Sequence, residues 1–444
     1  MQPNLFAKDL ISFRTSIAFV IASMIGTGIF TSLGYQLLDI TSIFPLLMLW
    51  FVGGILSLCG AFTYGELGSA LPQSGGEYRL LSIILHPSIG FSAGIVSATV
   101  GFTAPAVLAA LALGNYLKAI FSDINASYVA ITVIVFIHLI HMSSLNAGKK
   151  FQDISTLLKI ILITAFIFFG FLSSNSQNIS IFPKTGDISI LFSPNFAVSL
   201  VWVSYSYSGW NSVIYFVSEV QNPRKNVTKI MLFSIIFVMI IYLLLNYIFL
   251  LATPIKDMVG KVEIGYLAGV AIFGKIGATI VSIGISILLL STISSYVFIG
   301  PRIIKAMGED NSIISFFSYE NSKNIPMTAF IFQLALSLLL LFTSSFNQVL
   351  VYAGVTLILV TILTVVSLFV LRIKKPRLHR PYKTWGYPFT PMVFLIINIW
   401  ILYYSLDNVF YETIIGFSII LLSIFLYFFV SKFNKSDYKK TNIT

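Results

Sequence analysis

Two stretches decide how this chain folds: Ser23-Met24-Ile25-Gly26-Thr27-Gly28-Ile29-Phe30 and Tyr205-Ser206-Tyr207-Ser208-Gly209-Trp210-Asn211-Ser212. Each falls in the middle of an otherwise apolar run and breaks its pattern, the first with two glycines around a threonine, the second with serines, a glycine and an asparagine. Glycine costs about 1 kcal/mol in a helix interior. Opened backbone at membrane depth survives only where it is buried in protein or lines a cavity. Both stretches are therefore read as unwound joints in membrane-crossing helices.

The membrane setting follows from composition. Of 444 residues, 57% are hydrophobic and 10% charged, whereas soluble domains carry about 25% charged residues. Twelve apolar runs of a length that spans a bilayer recur, at 14–37, 43–65, 89–118, 127–143, 154–173, 196–217, 230–252, 277–300, 327–343, 346–371, 391–407 and 411–431. The expected fold class is an all-α polytopic membrane protein, one transmembrane domain over 1–444. No cleavable leader is read at the N-terminus, so the first run is expected to stay in the mature chain.

The net charge of +11 could suggest a nucleic-acid partner, but placement argues otherwise. With both termini in the cytoplasm, all of the 27 Lys and Arg except Lys118, Lys184, Lys256, Lys261 and Lys275 fall on the cytoplasmic half. That bias sets orientation and leaves nothing for nucleic acid. The basic run from Arg372 to Lys383 is read as a topology signal, with anionic lipid as its other possible contact. Cys59, the single cysteine, lies inside the second run, so an internal disulfide and a cysteine metal cluster are both excluded.

The joints lie five spans apart, in spans 1 and 6. An odd number of crossings inverts the second copy relative to the first, giving repeats of five spans at 14–173 and 196–371, with 391–431 as two additional helices. Matched interruptions in corresponding helices point to a transport site between inverted repeats. Glycine-mediated helix packing is the other reading of a lone Gly-x-Gly; the recurrence favours the joints.

A helix that begins in mid-membrane offers unpaired N–H groups, and one that ends there offers bare carbonyls. The amides of Thr27, Gly28 and Ile29 are thus expected to hold a carboxylate. The carbonyls of Ser23, Met24 and Ile25, with those near Tyr205, Ser206 and Ser208, face an ammonium. Gly26 and Gly209 open the two joints between these poles. That spacing suits the main chain of an α-amino acid.

Lys159 is the one charged side chain read as deep within a span. Two readings stay open: snorkelling to the cytoplasmic edge, or an ammonium bridging spans 1 and 8 and exchanging a proton during the cycle. Ser291, Thr292, Ser294 and Ser295 form a hydroxyl cluster in span 8 that faces either that ammonium or a sodium ion, or simply packs between helices. His138 and His141 share one face of span 4, without further ligands for a metal. Glu66 and Glu219 are expected to pair with basic residues.

Several segments together resemble the amino acid/polyamine/organocation superfamily, nearest its L-type transporters and related bacterial permeases. They are Ile25 through Phe30; Gly65-Glu66-Leu67 with Pro72-Gln73-Ser74-Gly75-Gly76-Glu77-Tyr78; Asn146 through Lys150 leading to Gln152-Asp153 and Lys159; Ser208-Gly209-Trp210-Asn211 with Glu219, Asn222-Pro223 and Arg224; and Gly300-Pro301-Arg302 before Ala306-Met307. The resemblance implies a leucine-transporter-like fold of five plus five inverted helices and alternating access. It implies a substrate carboxyl at Thr27 and Gly28, an outer gate at Tyr205 with Trp210 beside it, Asn211 as support of the span 6 break, and Lys159 at a vacated sodium site. It departs in two places. Mammalian L-type members join a heavy chain through an extracellular cysteine, which is absent here. Gly101-Phe102-Thr103-Ala104-Pro105 stands where those members carry an arginine-proline pair.

The expected function is secondary transport of neutral amino acids across the cell membrane, by exchange or proton symport, with no cofactor or metal and no enzymatic chemistry. A carrier of cationic amino acids or polyamines is the alternative within transport, because Tyr205, Tyr207 and Trp210 offer ring faces to a cation. A transport-like receptor or membrane enzyme is the alternative outside it.

Overall fold

A computed structural model describes residues 10–143, 147–173, 177, 179–323 and 325–433. Asn146 and both chain ends lie outside the described residues, as do the side chains of Lys149, Lys150, Gln152 and Asp153. The helices in chain order are α1 (Phe13–Met24), α2 (Gly28–Gln36), α3 (Ile43–Ala70), α4 (Gly76–Ile84), α5 (Pro87–Val96), α6 (Ala104–Ile120), α7 (Ala126–Ser143), α8 (Ala147–Leu172) and α9 (Asp187–Ile190). They continue with α10 (Pro194–Tyr207), α11 (Pro223–Ala252), α12 (Ile255–Met258), α13 (Ile264–Asp310), α14 (Met327–Thr343), α15 (Phe346–Lys374), α16 (Phe389–Asn408) and α17 (Phe410–Phe433).

Among the described residues nine helices, counting α1 with α2 and α5 with α6, are long and apolar enough to cross a membrane, and the apolar part of α8 and α14 are shorter. Apolar side chains also point outward: Phe169, Phe171, Ile280, Leu421 and Phe425 are all exposed. A surface of that kind needs lipid rather than water around it. The chain is a multi-pass membrane protein.

Local chemistry sets the helix ends. Ser12 caps α1 by accepting from the Thr15 amide (3.2 Å), and Ser193 does the same for α10 through Phe196 (3.3 Å), with Pro194 at the first helical position. Ser345 and Gln348 close a reciprocal capping box on α15. α13 is two helices joined at Gly274, whose φ of +70° turns the chain.

Two spans differ from the sequence reading. The uninterrupted helix expected over 89–118 contains a π-helical turn, Ser97–Thr103, between α5 and α6. Pro105 has no N–H to give the turn before it, and the wider winding absorbs the gap. In span 6 the expected joint is present, α10 ending at Tyr207, but the stretch beyond it, read as part of a helical span to 217, runs in short 3₁₀ turns at Ser212–Tyr215 and Val217–Glu219. Ser208 turns to an extended ψ of 149° and Gly209 takes φ +95°, which together stop the α-helical ladder.

α11 runs along α3, α13 along α6 and α8, and α10 lies among α2, α3 and α15. Arg372 and Arg380 meet Glu66 of α3, Lys374 reaches the Ile84 carbonyl of α4, and Tyr78 of α4 donates to Asp310 at the end of α13; this end of the bundle, which carries Arg79, Arg302, Lys305, Arg372 and Arg380, is here termed the basic face.

Candidate functional site

The α1–α2 joint and the end of α10 press against one another. A Cβ on Gly28 would sit 2.6 Å from the Cα of Ser206, and one on Gly209 would sit 2.7 Å from the carbonyl oxygen of Ser23. Only glycine fits either place, because both obstacles are backbone. Hydroxyls tie the crossing together: Ser32 Oγ meets Ser206 Oγ at 3.0 Å, and Thr27 Oγ1 meets the Tyr205 hydroxyl at 3.3 Å.

Among the described residues, the amides of Gly26, Thr27, Gly28 and Ile29 find no backbone carbonyl. The carbonyls of the joint are under-supplied in the opposite sense. Tyr242 of α11 places its hydroxyl 2.7 Å from the Met24 oxygen and 3.0 Å from that of Ser206. A phenol has one hydrogen to donate, so it serves one of these carbonyls at a time. Lys159, 3% exposed, donates to the Ile25 carbonyl (3.2 Å) and to Thr292 Oγ1 (2.9 Å). Its ammonium bridges α1 and α13 and does not snorkel.

A cavity of about 790 Å³ lies against the end of α1 at Ser23 and the span 6 joint at Ser208 and Gly209. Ser23, Ser208, Gly209, Trp210 and Asn211 line it, together with Lys159, Glu77 and Arg302. Gly26 is half-buried; Met24, Ile25, Thr27, Gly28, Ile29, Tyr205 and Ser206 are buried. On the far side, Tyr205 covers Thr27, Trp202 donates to Asn347 Oδ1 (2.9 Å), and Tyr35 stacks between Trp202 and Phe346 at 6.3 and 5.9 Å. The loop after α12 seals that side through the Gly260 amide on the Gly34 carbonyl (2.8 Å).

The other residues singled out in the sequence also find definite partners. Trp210 packs edge-on against Tyr64 at 4.7 Å. Asn211 donates to Glu77 Oε1. Of the span 8 hydroxyls, Thr292 meets the ammonium; Ser294 is bonded to His141 Nε2 (2.8 Å) and Ser295 donates to the Ser291 carbonyl (2.9 Å). His138 Nδ1 lies 2.8 Å from the Ile134 carbonyl oxygen. Among the described residues no group of three His, Cys, Asp or Glu is placed to hold a metal. Cys59 is a free buried thiol in α3.

Sequence reading missed three residues. Tyr242 stands in an apolar run where a lone tyrosine looks like packing. Glu77 and Tyr215 sit outside the regular helices of spans 2 and 6, yet both line the cavity. The signal for Glu77 was the Gly75-Gly76 pair before it, with φ of +127° and +62°, which turns the chain back toward the joint. A Cβ on Gly76 would strike the Tyr215 ring.

A sequence profile described as amino acid permease matches residues 11–437. The serine/threonine exchanger SteT of Bacillus subtilis is 25% identical over 394 residues, covering 87% of this chain and 88% of its own. The mouse large neutral amino acids transporter small subunit 2 is 25% identical over 436 residues, 95% of this chain and 81% of that protein. The mouse b(0,+)-type amino acid transporter 1 is 23% identical over 404 residues, 87% and 80% of the two. These relatives are transporters and not enzymes. With the profile spanning nearly its whole length, this chain belongs to the amino acid permease family.

Proposed function

We propose that the chain is a secondary carrier that moves neutral amino acids across the cell membrane by alternating access, through exchange or proton symport. The supporting observation is the crossing of the two joints at the inner end of the cavity. Unpaired amides of Gly26, Thr27, Gly28 and Ile29 stand beside under-supplied carbonyls of Met24 and Ser206. Amides attract a carboxylate and carbonyls attract an ammonium, so a zwitterion fits by main chain alone. Ser23, Ser208 and Gly209 meet it from the cavity side, and Tyr205 with Trp210 closes over it.

Twelve crossings result when the apolar part of α8, α14 and the α10 span join the nine long helices. The five-plus-five inverted arrangement is supported by the two joints occupying spans 1 and 6. With the termini cytoplasmic, the basic face is the inner side. Lys159 occupies a coupling position, held between the α1 carbonyl end and Thr292. The carrier works without a disulfide-linked heavy chain, since its one cysteine is buried in α3.

The test is uptake by the purified protein in liposomes. A labelled neutral amino acid should accumulate, driven by preloaded amino acid or by a proton gradient. No flux for any member of a broad amino-acid panel sinks the reading. Binding without flux would instead favour a receptor.

A further inference from the structure

Among the described residues five glycines line the cavity: Gly53, Gly75, Gly101, Gly209 and Gly354. Four of them are required by their surroundings. A Cβ on Gly53 would strike the Val203 side chain, one on Gly354 would sit 3.0 Å from the Val201 carbonyl oxygen, and one on Gly209 would sit 2.7 Å from that of Ser23. Gly75 takes φ +127°. Gly101 has neither reason. Its φ lies outside the left-handed region, and the nearest atoms to a Cβ there are the Val96 oxygen at 3.8 Å and the Ser97 Cβ at 3.9 Å, both from its own stretch of span 3. Gly90, Gly94 and Gly114 of the same span are close-packed: a Cβ would sit 2.6 Å from the Tyr78 carbonyl oxygen, 2.7 Å from Met307 Sδ and 2.9 Å from the Ala126 backbone in turn.

Glycine is a poor helix former, and no neighbouring helix fills the place its missing side chain leaves. What Gly101 preserves is therefore room in the cavity. It lies in the π-helical turn Ser97–Thr103, of which Ser97, Gly101 and Phe102 all line that cavity. Hydroxyls serve the carbonyls of the widened winding: Thr99 Oγ1 donates to Ile95 at 2.7 Å and Thr103 Oγ1 to Ala98 at 2.8 Å. The turn is tied to span 6 beyond its joint, where Ser97 Oγ meets the Tyr215 hydroxyl at 3.0 Å. Phe102 stands edge-on to Tyr215 at 5.8 Å and to Tyr296 at 6.1 Å. Tyr296 lies within electrostatic reach of Tyr205 and Tyr242, which meet Thr27 and the Met24 carbonyl. The gap at Gly101 thus borders an aromatic wall that runs back to the joints.

From this we infer that Gly101 is a specificity-determining residue of the carrier: the space beside its Cα receives the far end of the substrate side chain and sets the upper limit on its size. The inference rests on the amino-acid carrier reading and adds to it the position that measures the side chain. Joint and turn divide the labour. Backbone at the joints reads the main chain common to all amino acids, and the missing side chain at Gly101 leaves the room in which they differ.

The experiment is competition against uptake of a labelled neutral amino acid by the full chain in liposomes, with alanine, norvaline and norleucine as competitors. These three differ only in the length of an unbranched apolar side chain. In the wild type all should inhibit. In Gly101→Leu, norleucine should weaken relative to alanine by at least about tenfold, with norvaline between them, and in Gly101→Ala the order should be the same at about threefold. An unchanged ratio in both variants places the side chain elsewhere and overturns the inference. Equal weakening of all three competitors makes Gly101 a structural residue and also overturns it. Inhibition of the wild type by alanine but not norleucine shows the room to be unused, which overturns the inference and leaves the carrier standing. Failure of every amino acid to enter the wild type overturns the carrier itself. If Gly101→Leu does not reach the membrane or carries nothing, Gly101→Ala decides alone. Its methyl group meets only ordinary contacts, so failure of that variant to fold would refute the open space on which the inference stands.

Discussion

The two joints cross each other, yet they are held in opposite ways. The joint in span 1 is three residues between two regular helices, and its supports are donors: Lys159 on the Ile25 carbonyl and Tyr242 on that of Met24. The joint in span 6 leads into 3₁₀ turns, and its main support is an acceptor, the Glu77 carboxylate beneath Asn211. The turn before α4 continues this support along the irregular segment. The Gly75 amide donates to the Tyr215 carbonyl (3.3 Å), the Ser218 amide donates to Ser74 Oγ (3.0 Å), and the two serine hydroxyls meet at 2.5 Å. One joint is pinned from inside the bundle by a buried cation. The other is pinned from the basic face by a buried carboxyl in the first turn of α4. Span 1 is thus the better candidate for a fixed reference, and the α3–α4 loop with the inner half of span 6 for a unit that moves together.

The largest effect is expected where the joints touch. Gly209→Ala places a methyl group 2.7 Å from the Ser23 carbonyl on a residue with φ +95°. Neither obstacle can be relieved by a rotamer change, and an L-residue at that φ adds about 1 kcal/mol or more of strain. Uptake should fall by about 100-fold or more, with the protein still in the membrane fraction. Near-normal flux from Gly209→Ala would show that the joints separate during transport and that their contact here is incidental.

Lys159→Ala should come next. It strips the donor from the Ile25 carbonyl and from Thr292 at once, and unmet buried acceptors cost about 1–3 kcal/mol each. Transport should drop at least about tenfold. If Lys159 also exchanges a proton, the dependence of uptake on pH between about 5 and about 8 should change in the variant. A reduced rate with an unaltered profile would leave Lys159 as a bridge alone, and an unaltered rate would argue that neither role matters.

How much of this was legible in sequence depends on how loudly a residue contradicts its surroundings. The joints were legible because glycine, serine and asparagine interrupt runs that are otherwise Leu, Ile and Val. The irregular inner half of span 6 was not, because Val213, Ile214 and Val217 carry on the apolar pattern while the backbone beneath them tightens to 3₁₀ turns. Lys159 stood out as a charge in a span, but its partner among four clustered hydroxyls depended on helix phase, and Thr292 faces it where Ser294 faces His141. Glu77 escaped for the reverse reason. It lies between spans, where a carboxylate looks solvated, and only the folding back of α4 shows it to be buried. Glu66 was read as a partner for basic residues, and Arg372 and Arg380 supply that pairing.

The smallest expected effect sharpens the comparison most, since it concerns a hydroxyl that faces a carbonyl of each joint. Tyr242 faces the Met24 carbonyl of the first joint and the Ser206 carbonyl before the second, and its single hydrogen serves only one of them at a time. A substrate ammonium, with three donors, can satisfy both carbonyls and leave the phenol as an acceptor for its third hydrogen. On that account Tyr242→Phe removes a donor the substrate replaces, so the empty carrier should lose about 1–3 kcal/mol of stability while the loaded one loses less. Substrate should therefore stabilise Tyr242→Phe against heat more than it stabilises the wild type, with uptake reduced only a few-fold. Equal stabilisation of the two proteins would mean that the ammonium does not reach these carbonyls, and would move the amine pole of the site outward along the cavity toward Ser23 and Ser208.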